Sequence, residues 1–201
     1  MRLRHNKNAI NILEKSPFFI QNFPFEINDN YIIEIGMGKG KMLSELAENN
    51  PQKHYIGIEK YSTPALSALK KIENKKIDNM QIIVADANDL DKIFIGKIKT
   101  IWLTFSDPWP KKRHFKRRLV YRDFLKKYQS ILAKDGIVYF KSDNEGLYNF
   151  ALEELKEYKA KILYQTKDLY DTNYPVKNYL TDYEEKFKKE GKNIYFIAFS
   201  F

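Results

Sequence analysis

With 201 residues, 43% apolar and 15% aromatic, the chain has the makeup of a single globular domain able to bury a substantial core. It has no cysteine and only three dispersed histidines (His5, His54, His114), which excludes disulfides and thiolate metal sites and argues against a His-built one, so no metal is expected. A formal net charge of +9 favours a polyanionic partner over a small neutral one.

Residues 1–11 are charged and lack the apolar stretch of a secretory signal, and no apolar run approaches the ~20 residues that span a bilayer. The expectation is a soluble, cytoplasmic protein with no membrane partner. Residues 1–29 read as a basic and aromatic arm: Arg2, Arg4 and Lys7 carry charge, while Pro17, Pro24 and four phenylalanines break any regular period. A helix over 9–15 is predicted there.

From Tyr31 the pattern becomes strand, helix, strand. Apolar runs predict strands over 31–35, 55–58, 81–84, 101–105, 137–140, 161–165 and 193–201. Helices are predicted over 40–49, 62–75, 121–132, 146–158 and 182–189. Ser62 is read as the N-cap of the second of these, with Pro64 in its first turn. Asp135-Gly136 is read as the stop after the third. Strands alternating with helices imply a parallel sheet wound on both faces, with a modified C-terminal end.

In such a sheet, ligands sit beyond the carboxyl ends of the strands. Glu34 there opens a loop with glycines at 36, 38 and 40. That G-x-G-x-G spacing differs from the G-x-G-x-x-G of dinucleotide binders, and Glu34 would repel a pyrophosphate. It suits a ligand carrying a positive charge. Glu59 follows the second strand and is the residue type to accept both hydroxyls of a ribose. Asp86 follows the third, within reach of an adenine amino group, and Asp107 follows the fourth. Four acids after four successive strands fit an adenosine with a cationic amino-acid tail: S-adenosylmethionine.

Asp107 stands in Ser106-Asp107-Pro108-Trp109-Pro110, where each proline biases the residue before it toward an extended conformation. Directly after it, residues 111–118 hold six Lys/Arg and no acid. A dense basic block of this kind grips phosphates. Trp109 either stacks on a base or walls the pocket, and Trp102, within the strand, belongs to the core.

At this stretch the sequence resembles the bacterial tRNA (guanine-N7-)-methyltransferase family. The loop from Glu34 to Gly40, Ile58-Glu59, residues 106–118, Phe140-Lys141-Ser142-Asp143-Asn144 and Thr181-Asp182-Tyr183-Glu184-Glu185-Lys186-Phe187 agree in order and spacing. The resemblance implies a Rossmann-like class I methyltransferase, α/β, with a seven-stranded mostly parallel sheet, helices on both faces and an antiparallel last strand. It implies transfer of a methyl group from S-adenosylmethionine to N7 of a guanine in the tRNA variable loop. By position, Glu34, Gly36, Gly38, Gly40, Glu59, Asp86 and Asp107 would bind the cofactor, with Asp107 catalytic. Lys111, Asp143, Thr181, Asp182, Tyr183 and Glu184 would engage the substrate, and Lys112, Arg113, His114, Lys116, Arg117 and Arg118 would meet the RNA backbone. Tyr183 and Phe187 are also read as packing anchors of the last helix. Beyond tRNA, no obligatory protein partner is implied, and the state is monomer or homodimer. Rival readings are a methyltransferase acting on a small molecule or protein, and a nonenzymatic RNA-binding module; the glycine spacing disfavours a dehydrogenase.

Overall fold

The structure is a computed structural model that describes residues 5–171, 174 and 177–201. The expectations for Arg2 and Arg4 lie outside the described residues. Seven strands form the main sheet: β1 Tyr31–Ile35, β2 His54–Glu59, β3 Met80–Val84, β4 Ile98–Thr104, β5 Leu132–Ser142, β6 Lys161–Thr166 and β7 Tyr195–Ser200. Their order is β3-β2-β1-β4-β5-β7-β6. The first five run parallel, and β7 is antiparallel to both β5 and β6. This is the architecture that the alternating pattern and the resemblance imply.

Chain order reverses direction between β1 and β4. All crossovers on one side lead outward to β3 and those on the other lead to β5, so a crevice opens at the carboxyl ends of β1 and β4. Helices α2 Lys41–Asn49 and α3 Ser62–Lys75 cover one face of the sheet, while the short α4 Leu90–Ile93, α5 Arg122–Ile131 and α6 Glu145–Glu157 cover the other. Each helix buries an apolar stripe at helical spacing, such as Phe124, Leu125, Tyr128 and Ile131 of α5. The central strands β1, β2 and β4 bury apolar side chains on both faces, as central parallel strands must.

Three local readings are corrected. The α3 N-cap is Tyr61, one residue early, with Ser62 already helical; the Tyr61 N–H is taken by a Glu59 carboxylate oxygen at 3.0 Å. Asp135-Gly136 does not stop α5. The chain passes from Ile131 directly into β5, and the dipeptide lies in a bulge where the β4–β5 register shifts between Ile98 and Thr100. Tyr183, read as an anchor, is 59% exposed, because the turn of α7 (Asp182–Lys189) that faces the sheet carries Glu184 instead.

The N-terminal residues contribute to the core. Helix α1 (Ala9–Leu13) buries Ala9 and Leu13 fully, in the cluster that also holds α3, and residues 18–20 pair along the outer edge of β3 through Ile20 N–H to Ile82 O and Ile82 N–H to Phe18 O. A separate parallel pair, Phe25–Ile27 with Phe94–Gly96, has no counterpart in the predicted elements. Three-residue strands are too short to show a period.

Candidate functional site

Register explains which residues meet at the crevice. Side chains opposite one another on paired strands share a face, and residues two apart along a strand share it too. Glu34 is opposite Trp102, Trp102 is opposite Tyr139, and Thr104 is opposite Lys141. Glu34, Thr104 and Lys141 therefore lie on the face covered by α2 and α3, at the carboxyl end of the sheet. The Thr104 hydroxyl donates to Glu34 Oε1 at 2.5 Å. Glu34 is 1% exposed, and its second oxygen has no hydrogen-bond partner among the described residues. Burial pushes its carboxyl up to about 7, against the Thr104 bond and the charge of Lys141, with Glu59 adding to the rise.

The glycine loop folds back over β2. Gly36 and Met37 N–H donate to Ile58 O, and Gly38 N–H donates to Glu59 Oε2 at 3.0 Å. All three loop glycines have φ between +56° and +79°. At Gly40 a Cβ would stand 2.8 Å from Ala68 Cβ, so close packing as well as backbone requires glycine; at Gly38 a Cβ would meet nothing within 4 Å, so the loop borders open space there. Glu59 is nearly buried, and burial raises its pKa; the charge of Asp107 pushes the same way, opposed by the N–H groups of Tyr61 and Gly38. Asp86 is half-buried and accepts from Lys60 Nζ at 2.7 Å and from Asn88 N–H at 2.9 Å. Burial opposes its charge, but these donors outweigh it and hold the carboxyl below its ordinary range.

Asp107 is exposed, on a loop whose backbone is strained on either side of it: Phe105 has φ +48° and Trp109 φ +41°. The prolines alone predict an extended Trp109. What holds it otherwise is Arg118, whose Nε donates to Pro108 O at 3.0 Å and Nη2 to Trp109 O at 3.2 Å, with its guanidinium 4.3 Å from the centre of the Phe150 ring. Arg118 thus points inward, while Lys111, Lys112, Arg113, Lys116 and Arg117 are exposed along the 3₁₀ helix Lys112–Arg117 and its cap. Arg117 lies over the Trp109 ring at 4.8 Å, and His114 packs against that ring's edge at 5.9 Å.

Among the remaining residues singled out from the sequence, Asp143 is half-buried at the end of β5 with Lys192 at 4.0 Å, and Asp182 and Tyr183 are exposed on the first turn of α7. Thr181 and Glu184 are buried. The Thr181 hydroxyl caps α7 by accepting the Glu184 N–H at 2.9 Å. Glu184 is fully buried, with Lys141 Nζ at 2.8 Å on one oxygen and Tyr170 OH at 2.8 Å and Asn178 Nδ2 at 2.6 Å on the other. Sequence reasoning did not assign Lys141 a role. The signal was a lysine continuing the apolar run 137–140, where burial forces it to find a charge.

A family model described as "Putative methyltransferase" matches residues 28–197. A tRNA (guanine-N(7)-)-methyltransferase of Metamycoplasma hominis is 61% identical over 201 residues, covering all of both chains. The enzyme of that name from Mycoplasmopsis pulmonis is 50% identical over 201 residues, covering 100% of this chain and 99% of its own. Among solved structures, an antibiotic-related methyltransferase superposes with a TM-score of 0.61 at 18% identity, covering 100% of this chain and 96% of the other, a likeness of fold.

Proposed function

The chain belongs to the tRNA (guanine-N(7)-)-methyltransferase family, and from that premise we propose how its residues divide the transfer of a methyl group to N7 of a guanine in the tRNA variable loop. S-adenosylmethionine is the methyl donor in this reading, and the residues fit it. Glu34 offers a buried carboxylate oxygen without a partner among the described residues, suited to an ammonium group, and the glycine loop borders open space at Gly38. Glu59 stands at the end of β2, where two hydroxyls of a ribose can be accepted, and Asp86 stands at the adenine position. When bound, this donor supplies an electrophilic methyl on a sulfonium.

Guanine N7 carries a lone pair and no proton, so the chain needs no general base to make it nucleophilic. What the chain must supply is alignment and charge. Holding the two reactants in line is worth several kcal/mol of barrier. As N7 gains a bond the base becomes cationic, and the Asp107 carboxylate faces that developing charge. The observation that carries the assignment is the placement of Asp107 on a strained, clamped loop at the carboxyl end of β4, close enough to Glu59 for its charge to act there.

Lys111, Asp143, Asp182 and Tyr183 surround the guanine in this reading, and Lys112, Arg113, His114, Lys116 and Arg117 meet the RNA backbone. Thr181, Glu184 and Arg118 support the same site from within. The test is to incubate the protein with tRNA and S-adenosylmethionine and map N7-methylguanine by chemical cleavage, for the wild type and Asp107→Ala. We expect cleavage at one variable-loop guanine for the wild type and none for the variant, which melts as the wild type does. Near-normal turnover by Asp107→Ala overturns the catalytic assignment.

A further inference from the structure

Lys141 lies on β5 with its whole side chain buried, and its ammonium has three acceptors for three hydrogens: Asn178 Oδ1 at 3.0 Å, Tyr179 O at 2.9 Å and Glu184 Oε2 at 2.8 Å. Burial lowers its pKa, opposed by Glu184 first and then by Glu34. Glu184 Oε1 is taken by Tyr170 and Asn178, so neither carboxylate oxygen is left for a ligand. Removing such a pair from water is costly, and an apolar pair of similar volume would hold the fold at least as well. Its presence calls for a reason other than stability.

The geometry around α7 supplies one. Helix α7 starts at the Thr181 cap, and its first turn holds Asp182 and Tyr183 outward while Glu184 reaches inward to Lys141. On one side Glu185 pairs with Lys41, the first residue of α2 after the glycine loop. On the other, Phe187 packs at 5.9 Å from the Phe105 ring, the strained residue that leads into Asp107. Helix α7 therefore bridges the loop on the cofactor side and the loop that carries Asp107, and Lys141 is the one buried charge that fixes its depth among the described residues. Lys141 also sits on the same sheet face as Glu34 and Thr104.

We propose that Lys141 is a positioning residue for methyl transfer, seating α7 through Glu184 so that Asp182 and Tyr183 face the guanine, and that Glu184 acts through Lys141 and does not itself touch the base. This rests on the functional reading above. If wild-type protein makes no N7-methylguanine, that reading fails; if it does, the following experiment addresses Lys141 alone.

Three variants, Lys141→Met, Glu184→Gln and the double variant, are compared in steady-state tRNA methylation and in S-adenosylmethionine binding by calorimetry. We expect each single substitution to lower kcat/KM for tRNA by about 30- to 100-fold, and the double to be no worse than the poorer single, as for residues acting as a unit. S-adenosylmethionine affinity should stay within about threefold of wild type. Losses that multiply in the double variant, or Lys141→Met kinetics within about threefold of wild type, overturn the proposal. A second readout uses synthetic tRNA with inosine at the target position, which lacks the guanine amino group. Glu184→Gln should keep the wild-type ratio of guanine to inosine methylation; a ratio lost with Glu184 but kept in Lys141→Met means that Glu184 reads the base. Where a single variant leaves one buried charge unpaired and fails to fold, the double variant, which removes both charges, decides. Reduced tRNA kcat/KM with intact cofactor binding upholds the proposal, and wild-type turnover overturns it.

Discussion

Glu34 is 1% exposed beneath the carboxyl edge of the sheet, with the Thr104 hydroxyl on one oxygen, Lys141 and Glu59 as its charged neighbours and, among the described residues, no partner on the other oxygen. Burial raises its carboxyl from 4.5 to about 7. Because the folded value lies above the unfolded one, the contribution to stability is fully present below pH 4.5 and is lost as pH rises through about 7. Integrating the linkage between those two values gives a loss of about 2–3 kcal/mol between pH 5 and pH 8. Glutamine at this position does not titrate, and it keeps an acceptor for the Thr104 hydroxyl. The stability difference between Glu34→Gln and wild type should therefore swing in favour of the variant by about 2–3 kcal/mol from pH 5 to pH 8, whatever constant offset the buried amide introduces. Urea denaturation of both proteins at pH 5, 6, 7 and 8, without cofactor, measures this directly. A difference that stays flat to within about 0.5 kcal/mol across that range refutes the reasoning. On the proposed cofactor role of Glu34, the same variant should bind S-adenosylmethionine more weakly than wild type at pH 8 even as its relative stability rises, because the carboxylate that costs stability is the one proposed to meet the ligand.

Arg118→Ala removes two hydrogen bonds from a charged donor, each worth about 1.5 kcal/mol when half-exposed, and frees a loop strained by about 1–3 kcal/mol per positive-φ residue. Turnover at saturating tRNA should fall about 10- to 100-fold with the salt dependence of RNA binding unchanged; a flattened salt slope would instead make Arg118 a phosphate contact. Lys112→Ala and Lys116→Ala should each lower that slope by about 1 and leave S-adenosylmethionine affinity alone, as read by RNA titration from low to high salt; an unchanged slope returns them to an ordinary solvated surface. Gly40→Ala places a Cβ 2.8 Å from that of Ala68 at φ +68°, so thermal melting should show a loss of about 1–3 kcal/mol together with weaker cofactor binding.

The sequence carried most of the sheet because central strands flanked by helices must be apolar on both faces, and such runs are visible without neighbours. It carried the row of strand-end acids for a related reason: an acid directly after an apolar run stands at a fixed place in this architecture. The division between outward and inward charge was not legible. Residues 111–118 look uniform in sequence, yet Arg118 turns in because the carbonyls of Pro108 and Trp109 come within reach only once the loop has folded back on itself. Glu184 follows the same logic. In the run from Thr181 to Phe187 it reads as a substrate contact alongside Asp182, and only the register of β5 against β4 and β7 brings Lys141 beneath it. Local pattern reports what a residue offers; long-range pairing decides whether water or another side chain takes it.

Charge in this protein is layered accordingly. Glu34 and Glu59 lie at the bottom of the crevice, nearly buried, where their ionisation is opposed by desolvation. Asp107 is exposed above them, and the exposed cations of residues 111–117 ring the rim. A cationic ligand entering the crevice relieves the opposition that burial places on the lower acids, so its binding draws on free energy already stored in the fold. A polyanion cannot descend into that layer, because the same acids repel it; it is held at the rim, where the cations are. The proposed separation, methyl donor below and RNA above, thus follows from the order of charges along the strand ends, and in that reading the strained loop at Asp107 is where the two layers meet.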